Sequence, residues 1–307
     1  MLRNSILLLF SLLLWITVTH ERELRPAPGR PSLPPAAPVK AQYCSRRTCG
    51  AGLKAGVCRR QLTPRVLNAP KPSSHPAKGR WYSPSNYGNN VDKFFRGEVA
   101  KLLNVPKGIV RIDREDVSSQ LARFKNEPTS LAMLGFYGCI GLIIMSRQGV
   151  WMVHMYEKEV IMSEENFYKG VALLLSGKST EDMFYGMWDL DDNVFARDQD
   201  PVAIIFGPGP TKTMFDYKSQ MDTIDQMVRR TIGVTPEWVS YVPVEDGSAQ
   251  YRADFDCTRS RGKVLVQYQP SNPAWHGRSN AEARIWIEGK SWTYRKSWSP
   301  QSDQIRN

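Results

Sequence analysis

Cys139 and His154 are the two side chains whose types and spacing in this sequence best suit covalent chemistry. They lie in the stretch 138–157, where two apolar runs, Ile140–Met145 and 150–156, are joined by Ser-Arg-Gln-Gly. Short runs rich in Ile, Val and Trp around a polar joint predict a β-hairpin. With a two-residue turn, His154 lies opposite Gly141. Because side chains alternate between faces, Cys139 lies on the same face of the sheet as Gly141 and His154. A three-residue turn would put the pair on opposite faces.

A thiol and an imidazole on one face can perform acyl transfer. The imidazole accepts the thiol proton, and the thiolate attacks an acyl carbon such as the carboxamide of a Gln side chain or an ester. Gly138 would let the backbone approach closely, and nearby amides could hold the developing oxyanion. The competing interpretation is structural, because free Cys is among the most buried residue types and a lone His in a strand is commonly a wall residue. On residue types and spacing alone, the structural interpretation is the stronger one.

The remaining titratable residues add little to this pair. His20 lies at the end of the leader-like segment, His75 lies in a basic tail, and His276 lies in a loop rich in Pro and Gly. Glu157, three residues beyond His154, could orient the imidazole or face solvent. The third, orienting group of a hydrolytic site is therefore left open.

The amino-terminal segment indicates export. Residues 1–20 contain Arg3 and then an apolar run over 6–18, which is short for a bilayer and typical of a secretory signal peptide. No small-x-small cleavage site is evident, so an uncleaved membrane anchor is the alternative. We expect a signal peptide over 1–20, a secreted protein and no stable membrane insertion.

The net charge of +11 comes from the segment that follows this leader. Residues 21–80 are rich in Pro and Arg and carry 13 basic against 2 acidic side chains, whereas residues 81–307 carry 27 basic and 28 acidic side chains. A nucleic-acid-binding domain would carry a basic face on the fold itself, so we expect no nucleic-acid partner. Residues 21–80 are predicted to be a disordered tail, which could contact anionic cell-surface polymers but is more commonly a solvated linker. Two dibasic pairs in it, at 46–47 and 59–60, are candidate processing sites.

The five cysteines divide between the tail and the globular part. An exported chain favours disulfides, and an odd number leaves one thiol over or paired between chains. We expect one bridge among the three tail cysteines and leave the pairing of Cys257 open. The tail cysteines have no His at zinc-ligand spacing, so neither a metal nor another cofactor is expected. The tail cysteines are Cys44, Cys49 and Cys58.

Hydrophobic periodicity and turn signals predict an α+β fold, a layered and mostly antiparallel β-sandwich with a few packed helices. The globular domain is expected over 81–298, with a disordered carboxyl terminus over 299–307. Predicted helices cover 91–103, 114–125, 217–232 and a segment that begins after Ser163 and ends at Gly177. Beyond the hairpin, predicted strands cover 201–206, 238–242, 251–255, 263–268, 283–287 and 292–295.

The order Gly138-Cys139, apolar strand, Gly149 and second strand bearing His154 resembles the Cys–His core of one superfamily of cysteine hydrolases. That superfamily includes bacterial chemoreceptor glutamine deamidases and the cytotoxic necrotizing factor class of toxins. The resemblance implies a layered β-sandwich with helices, Cys139 as nucleophile and His154 as general base. It covers about twenty residues, and Tyr137 stands where the family has a small residue. The segment 261–270, RGKVLVQYQP, is also similar to secreted proteins of filamentous fungi.

Two functional hypotheses follow. The first is a secreted protein with a deamidase-like Cys–His site, an effector or toxin acting on protein glutamines. The second is a non-catalytic secreted interaction or cell-surface protein in which Cys139 is structural, bonded or inert. The oxidation state and accessibility of Cys139 distinguish them.

Overall fold

The strands in the described part of the chain form two β-sheets. The computed structural model describes residues 70–76, 81–103, 105–110, 117–176, 186–190, 192–211, 213–243, 259–272, 280–289 and 294–305. The strands in these ranges are β1 (Val117–Arg123), β2 (Thr129–Leu134), β3 (Ile140–Met145), β4 (Gly149–Met155), β5 (Val202–Pro208), β6 (Glu237–Tyr241), β7 (Lys263–Gln269), β8 (Ala281–Ile287) and β9 (Tyr294–Trp298). One sheet has the order β1-β4-β3-β5-β6 and the other the order β2-β7-β8-β9. Every pairing is antiparallel except that of β5 with β6.

The helices cover the outer faces of the two sheets. The α-helices in the described ranges are α1 (Val91–Leu102), α2 (Glu164–Asn166), α3 (Leu173–Ser176), α4 (Asp192–Phe195) and α5 (Lys218–Thr231). One apolar cluster joins the inner faces of both sheets, and a second packs the five-stranded sheet against α5 and the segment 164–176. A third packs α1 against the four-stranded sheet. The expected α+β sandwich with packed helices is therefore confirmed.

This layering explains the continuous apolar runs of the central hairpin. Alternate residues of a strand face opposite sides of its sheet. In β3, Ile143 and Met145 point between the sheets, whereas Leu142 and Ile144 point toward the helices. Both faces are covered, so β3 and β4 have no solvent-facing side and show no polar alternation.

Several predicted elements are confirmed with small changes in their bounds. The helix predicted over 91–103 is α1, which is capped by the side chain of Asn90 accepting the amide of Lys93 at 2.8 Å. The helix predicted over 217–232 is α5, with Met221, Ile224 and Val228 buried as expected. The segment after Ser163 is helical to residue 176, but Phe167–Ala172 is a π-helical stretch.

Residues 114–125 were predicted to be helical, and this prediction is wrong. The described part of the segment, Val117–Arg123, is strand β1, which pairs along the free edge of β4 from Val117 opposite Met155 to Arg123 opposite Gly149. The helical spacing of Val117 and Leu121 is weak, and the edge of β4 offers a full ladder of hydrogen bonds. Strand β2, which begins just after Pro128, has no counterpart among the predicted elements.

Residues 299–305, which fall in the carboxyl terminus expected to be disordered, include the 3-10 turn Ser302–Gln304. Gln304 is fully buried: its Oε1 accepts the indole N–H of Trp298 at 2.9 Å, and its Nε2 donates to the carbonyl oxygens of Arg147 and Phe124. Ile305 forms an isolated bridge with Ser271. Phe124, Arg147 and Ser271 lie far away in sequence, so local composition does not reveal these contacts.

Other predictions fall outside the described ranges. These are the signal peptide, residues 21–69 and 77–80 of the tail, the dibasic pairs, the strand over 251–255, and the cysteines at 44, 49, 58 and 257. The strand predicted over 292–295 lies later, as β9. No helix in the part of the chain that is described has the length and apolar character needed to cross a bilayer.

Candidate functional site

The pairing of β3 with β4 follows the predicted two-residue turn. His154 lies opposite Gly141, and the amide of Ser146 donates to the carbonyl of Gly149 at 2.9 Å, so Arg147 and Gln148 form the turn. Cys139, two residues before Gly141, belongs with alternate residues of β3 and β4 to the cluster between the sheets. The two candidate catalytic residues therefore come from neighbouring strands and lie toward the same side of the five-stranded sheet.

Cys139 is fully buried and is half of a disulfide bond. A disulfide sulfur carries no proton for a base to remove and is not a thiolate nucleophile. Reduction must therefore precede any attack by this sulfur on an acyl carbon.

The imidazole of His154 is enclosed by aromatic rings. Its ring centroid lies 4.2 Å from that of Phe136 and 4.6 Å from that of Tyr156, with interplanar angles of 26° and 30°. The residue is 1% exposed, and its Nε2 has no hydrogen-bond partner among the described residues. Burial lowers the pKa of His154 to about 3, because no neighbouring group offsets the desolvation of the imidazolium. At neutral pH this side chain is an uncharged member of the core.

The glycines of the stretch make room for neighbouring side chains. A Cβ atom on Gly141 would lie 2.0 Å from Cζ of Phe206, so the ring of Phe206 occupies the space opposite His154. A Cβ atom on Gly138 would lie 2.1 Å from a carboxylate oxygen of Glu157. In the described structure these spaces hold protein atoms where a substrate would have to enter.

Glu157 joins a buried polar cluster beside Cys139. The hydroxyl of Tyr217 donates to Oε1 of Glu157 at 2.5 Å, and the hydroxyl of Tyr241 donates to the carbonyl oxygen of Cys139 at 2.6 Å. Burial, followed by the charge of Glu157, raises the pKa of Tyr241 well above its ordinary value. Glu157 is itself buried. Of the two roles that the sequence left open for it, facing solvent is therefore wrong. Its carboxylate holds the Tyr217 hydroxyl and lies against Gly138.

Sequence reasoning missed the residues that surround the pair. They come from four separate segments of the sequence: Phe136, Phe206, Tyr217 and Tyr241. Of the other histidines, His75 contacts the Tyr82 hydroxyl through Nδ1 at 2.8 Å, and His20 and His276 lie outside the described ranges. Within those ranges no three His, Cys, Asp or Glu side chains are grouped so as to hold a metal ion. No contact among the described residues tests the catalytic roles of Cys139 and His154, which therefore stay predictions.

Comparison with known proteins adds little to this geometry. No protein-family model matches the chain, and no curated protein matches it. Among solved structures, the C-terminal domain of CNFy from Yersinia pseudotuberculosis is similar to this chain, with a TM-score of 0.23 and 8% identity. The similarity covers 60% of this chain and 58% of that one, and at this TM-score it supports no assignment of fold or site.

Proposed function

We propose that this protein is an exported, non-catalytic binding protein in which Cys139 is structural. The observation that carries this proposal is the state of Cys139, which is disulfide-bonded and fully buried in the cluster between the sheets. A catalytic cysteine needs a thiolate in an accessible, electropositive setting. Phe136 and Tyr156 stack on the neighbouring imidazole, and its Nε2 has no hydrogen-bond partner among the described residues.

Export is consistent with the same bond. Disulfides persist in oxidising compartments and are rare in the reducing cytosol. The apolar run over residues 6–18 is typical of a secretory leader. We therefore assign the mature protein to the extracellular space.

Alkylation of the native protein tests the structural role of Cys139. The protein is treated with iodoacetamide without reductant, digested and mapped by mass spectrometry. We expect Cys139 in a disulfide-linked peptide and without a carbamidomethyl group. After unfolding in guanidinium with reductant, all five cysteines should be modified, which controls for detection. A carbamidomethyl group on Cys139 of the native protein would overturn the proposal.

Export has a separate test. The full-length chain is expressed in a secreting eukaryotic host, and the protein in the medium is sequenced from its amino terminus. We expect a first residue close to position 21. Full-length protein that starts at Met1 and stays with the cells contradicts this part of the proposal.

A second function, a deamidase-like cysteine hydrolase, is favoured by the register of the hairpin. His154 lies opposite Gly141, with Cys139 two residues away in the cluster between the sheets, as the resemblance to Cys–His hydrolases requires. After reduction, His154 would take the proton of Cys139, and the sulfur would attack the carbonyl carbon of a Gln side chain. Ammonia would leave with the proton from His154, and water would hydrolyse the thioester to Glu, restoring the thiol. Phe136 would have to move for a substrate to enter.

Ammonia release separates the two functions. A glutamine-rich protein such as casein is incubated with the native chain, with and without dithiothreitol, beside Cys139→Ser and His154→Phe. Under the first proposal, all samples release ammonia at the rate of the buffer. Release by the reduced wild type that is lost in both variants would establish the hydrolase instead.

A further inference from the structure

We propose that a cavity beside Trp188 binds a small carboxylate ligand with a flat apolar body. The cavity has a volume of about 840 Å³ and lies between the segment 187–197 and the carboxyl-terminal end of α5. Among the described residues, its lining includes Trp188, Leu190, Phe195, Arg197, Arg230 and Ile232. Neither Cys139 nor His154 lines it. A volume of this size is typical of a site for a small molecule.

Trp188 presents its indole to this cavity because its neighbours are anchored. Met187 and Leu190 are buried in the cluster beneath the helices, and the amide of Leu190 donates to the carbonyl of Met187 at 3.3 Å. The short 3-10 turn Met187–Asp189 thereby directs the residue between them outward. Trp188 is 67% exposed, the largest exposed fraction among the large apolar side chains of the described residues. An indole held in this way offers a rigid flat surface for a ligand.

Two guanidinium groups line the same cavity. The side chains of Arg197 and Arg230 are exposed and form no ion pair or hydrogen bond with any residue in the described ranges. Arg229, one position before Arg230, instead pairs with Asp225 and bonds to Thr235. Guanidinium groups bind carboxylates through two parallel hydrogen bonds, so unpaired arginines beside an apolar surface favour an anionic ligand.

The charges along the sequence favour a ligand with one carboxylate over a polyanion. Asp189, Asp191 and Asp192 follow Trp188 in the sequence, and Asp198 follows Arg197. Residues 81–307 carry 27 basic and 28 acidic side chains, so they supply no broad positive field for nucleic acid or a polyanionic polymer. In the proposed complex the carboxylate pairs with the arginines that line the cavity, Arg197 and Arg230, and the apolar body covers Trp188.

This inference rests on the proposed binding function, for which it names a class of ligand. The experiment below measures ligand binding only, independently of the state of Cys139. A negative result leaves the assignment of Cys139 intact, and an alkylated Cys139 leaves the cavity intact.

Isothermal titration calorimetry of the full chain with 2-naphthoate is the direct test. The probe joins a flat apolar body to one carboxylate, and 2-naphthamide is its uncharged control. We expect saturable binding of naphthoate, at least tenfold weaker binding of the amide, and weaker binding of naphthoate at 1 M salt. Absence of naphthoate binding, or equal affinity for the two probes, overturns the proposal.

Variants locate the binding within the cavity. Arg197→Gln, Arg230→Gln and Trp188→Ala should each weaken naphthoate binding about tenfold or more. Lys169→Gln removes one positive charge and Tyr168→Ala removes an exposed ring outside the lining, so both should bind like the wild type. Trp188→Phe, which keeps a flat ring, should retain part of the affinity. All altered side chains are exposed, and unchanged circular dichroism will show that the variants fold. Wild-type affinity in the three cavity variants would place the ligand elsewhere and refute the site.

Discussion

The imidazole of His154 is stacked on the phenyl ring of Phe136, with their centroids 4.2 Å apart. The contact joins β4 of one sheet to the segment that leads out of β2 in the other. The free energy of unfolding depends on pH when a histidine ring packs as an apolar surface in the core, because the core excludes the charged imidazolium. The position of His154 therefore makes predictions about stability that do not depend on any catalytic role.

Acid should destabilise the protein through His154. Burial lowers its pKa from the ordinary 6.5 to about 3, so between these values the unfolded chain binds a proton that the folded chain does not. Stability from this group is fully present above pH 6.5 and is lost as the pH falls toward 3. The loss between pH 7 and pH 4 is about 3 kcal/mol.

His154→Phe isolates this contribution because Phe keeps the ring and cannot be protonated. Urea unfolding at pH 7, 5 and 4 should show a smaller decline in the free energy of unfolding for the variant than for the wild type. Carboxylates that also titrate contribute equally to both proteins and cancel in the comparison. Parallel pH curves for the two proteins would show that His154 is protonated in the folded state.

Gly141→Ala should destabilise the core by overpacking. The added Cβ would lie 2.0 Å from Cζ of Phe206, in a strand buried on both faces. Overpacking of this kind costs about 1–3 kcal/mol. Adding Phe206→Leu removes the clashing ring, so the double variant should lose less stability than the sum of the two single variants. If the losses in the free energy of unfolding were strictly additive, residues 141 and 206 would not be in steric contact.

Gln304→Ala should weaken the attachment of the carboxyl terminus. The change leaves the indole N–H of Trp298 without its acceptor in a buried position, at a cost of about 1–3 kcal/mol. Gln304→Glu is the matched control: it keeps the acceptor for Trp298 but places an oxygen against the carbonyls of Phe124 and Arg147. We expect the Glu variant to be no more stable than the Ala variant by thermal unfolding. Full stability in both variants would contradict the ordered carboxyl terminus.

Arg284 holds the segment before α1 onto the four-stranded sheet. Its guanidinium lies 4.2 Å from the ring centroid of Trp81 and 4.9 Å from that of Trp286, and it donates to Oε1 of Gln267 and to the carbonyl oxygen of Tyr82. Burial lowers the pKa of Arg284 to about 9.

Replacing Arg284 by Ala should cost about 2–4 kcal/mol, because these hydrogen bonds and ring contacts are lost together. Arg284→Lys should recover little of this, since an ammonium group cannot stack between two indoles while donating in a fixed plane. Urea unfolding and limited proteolysis near Trp81 measure the effect. A Lys variant as stable as the wild type would show that charge alone suffices.

The local sequence pattern predicted the β3–β4 hairpin correctly but not the strands that pair with it. The register followed from the period of two and from the length of the turn at Arg147 and Gln148. The partners of the hairpin did not follow, because pairing of β3 with β5 and of β4 with β1 is set by contacts that are distant in sequence. The missed strand β1 shows this, since its weak helical spacing yielded to an unpaired strand edge.

The candidate site divides in the same way. The sequence placed Cys139 and His154 near each other, but it could not show that Phe136 and Phe206 fill the space around them. Nor could it show that Cys139 is oxidised, because disulfide connectivity cannot be derived from one sequence. The ordered carboxyl terminus rests on the buried contacts of Gln304, which composition does not reveal.

The tight turn at Arg147 and Gln148 also bears on how the chain folds. Strands β3 and β4 are joined by a two-residue loop, whereas β2 and β7 pair residues more than a hundred positions apart, such as Leu134 with Lys263. Closing a short loop costs little chain entropy, and long-range pairing is the slow part of assembling a sandwich. We therefore expect the hairpin to form before β1 and β5 add to the five-stranded sheet.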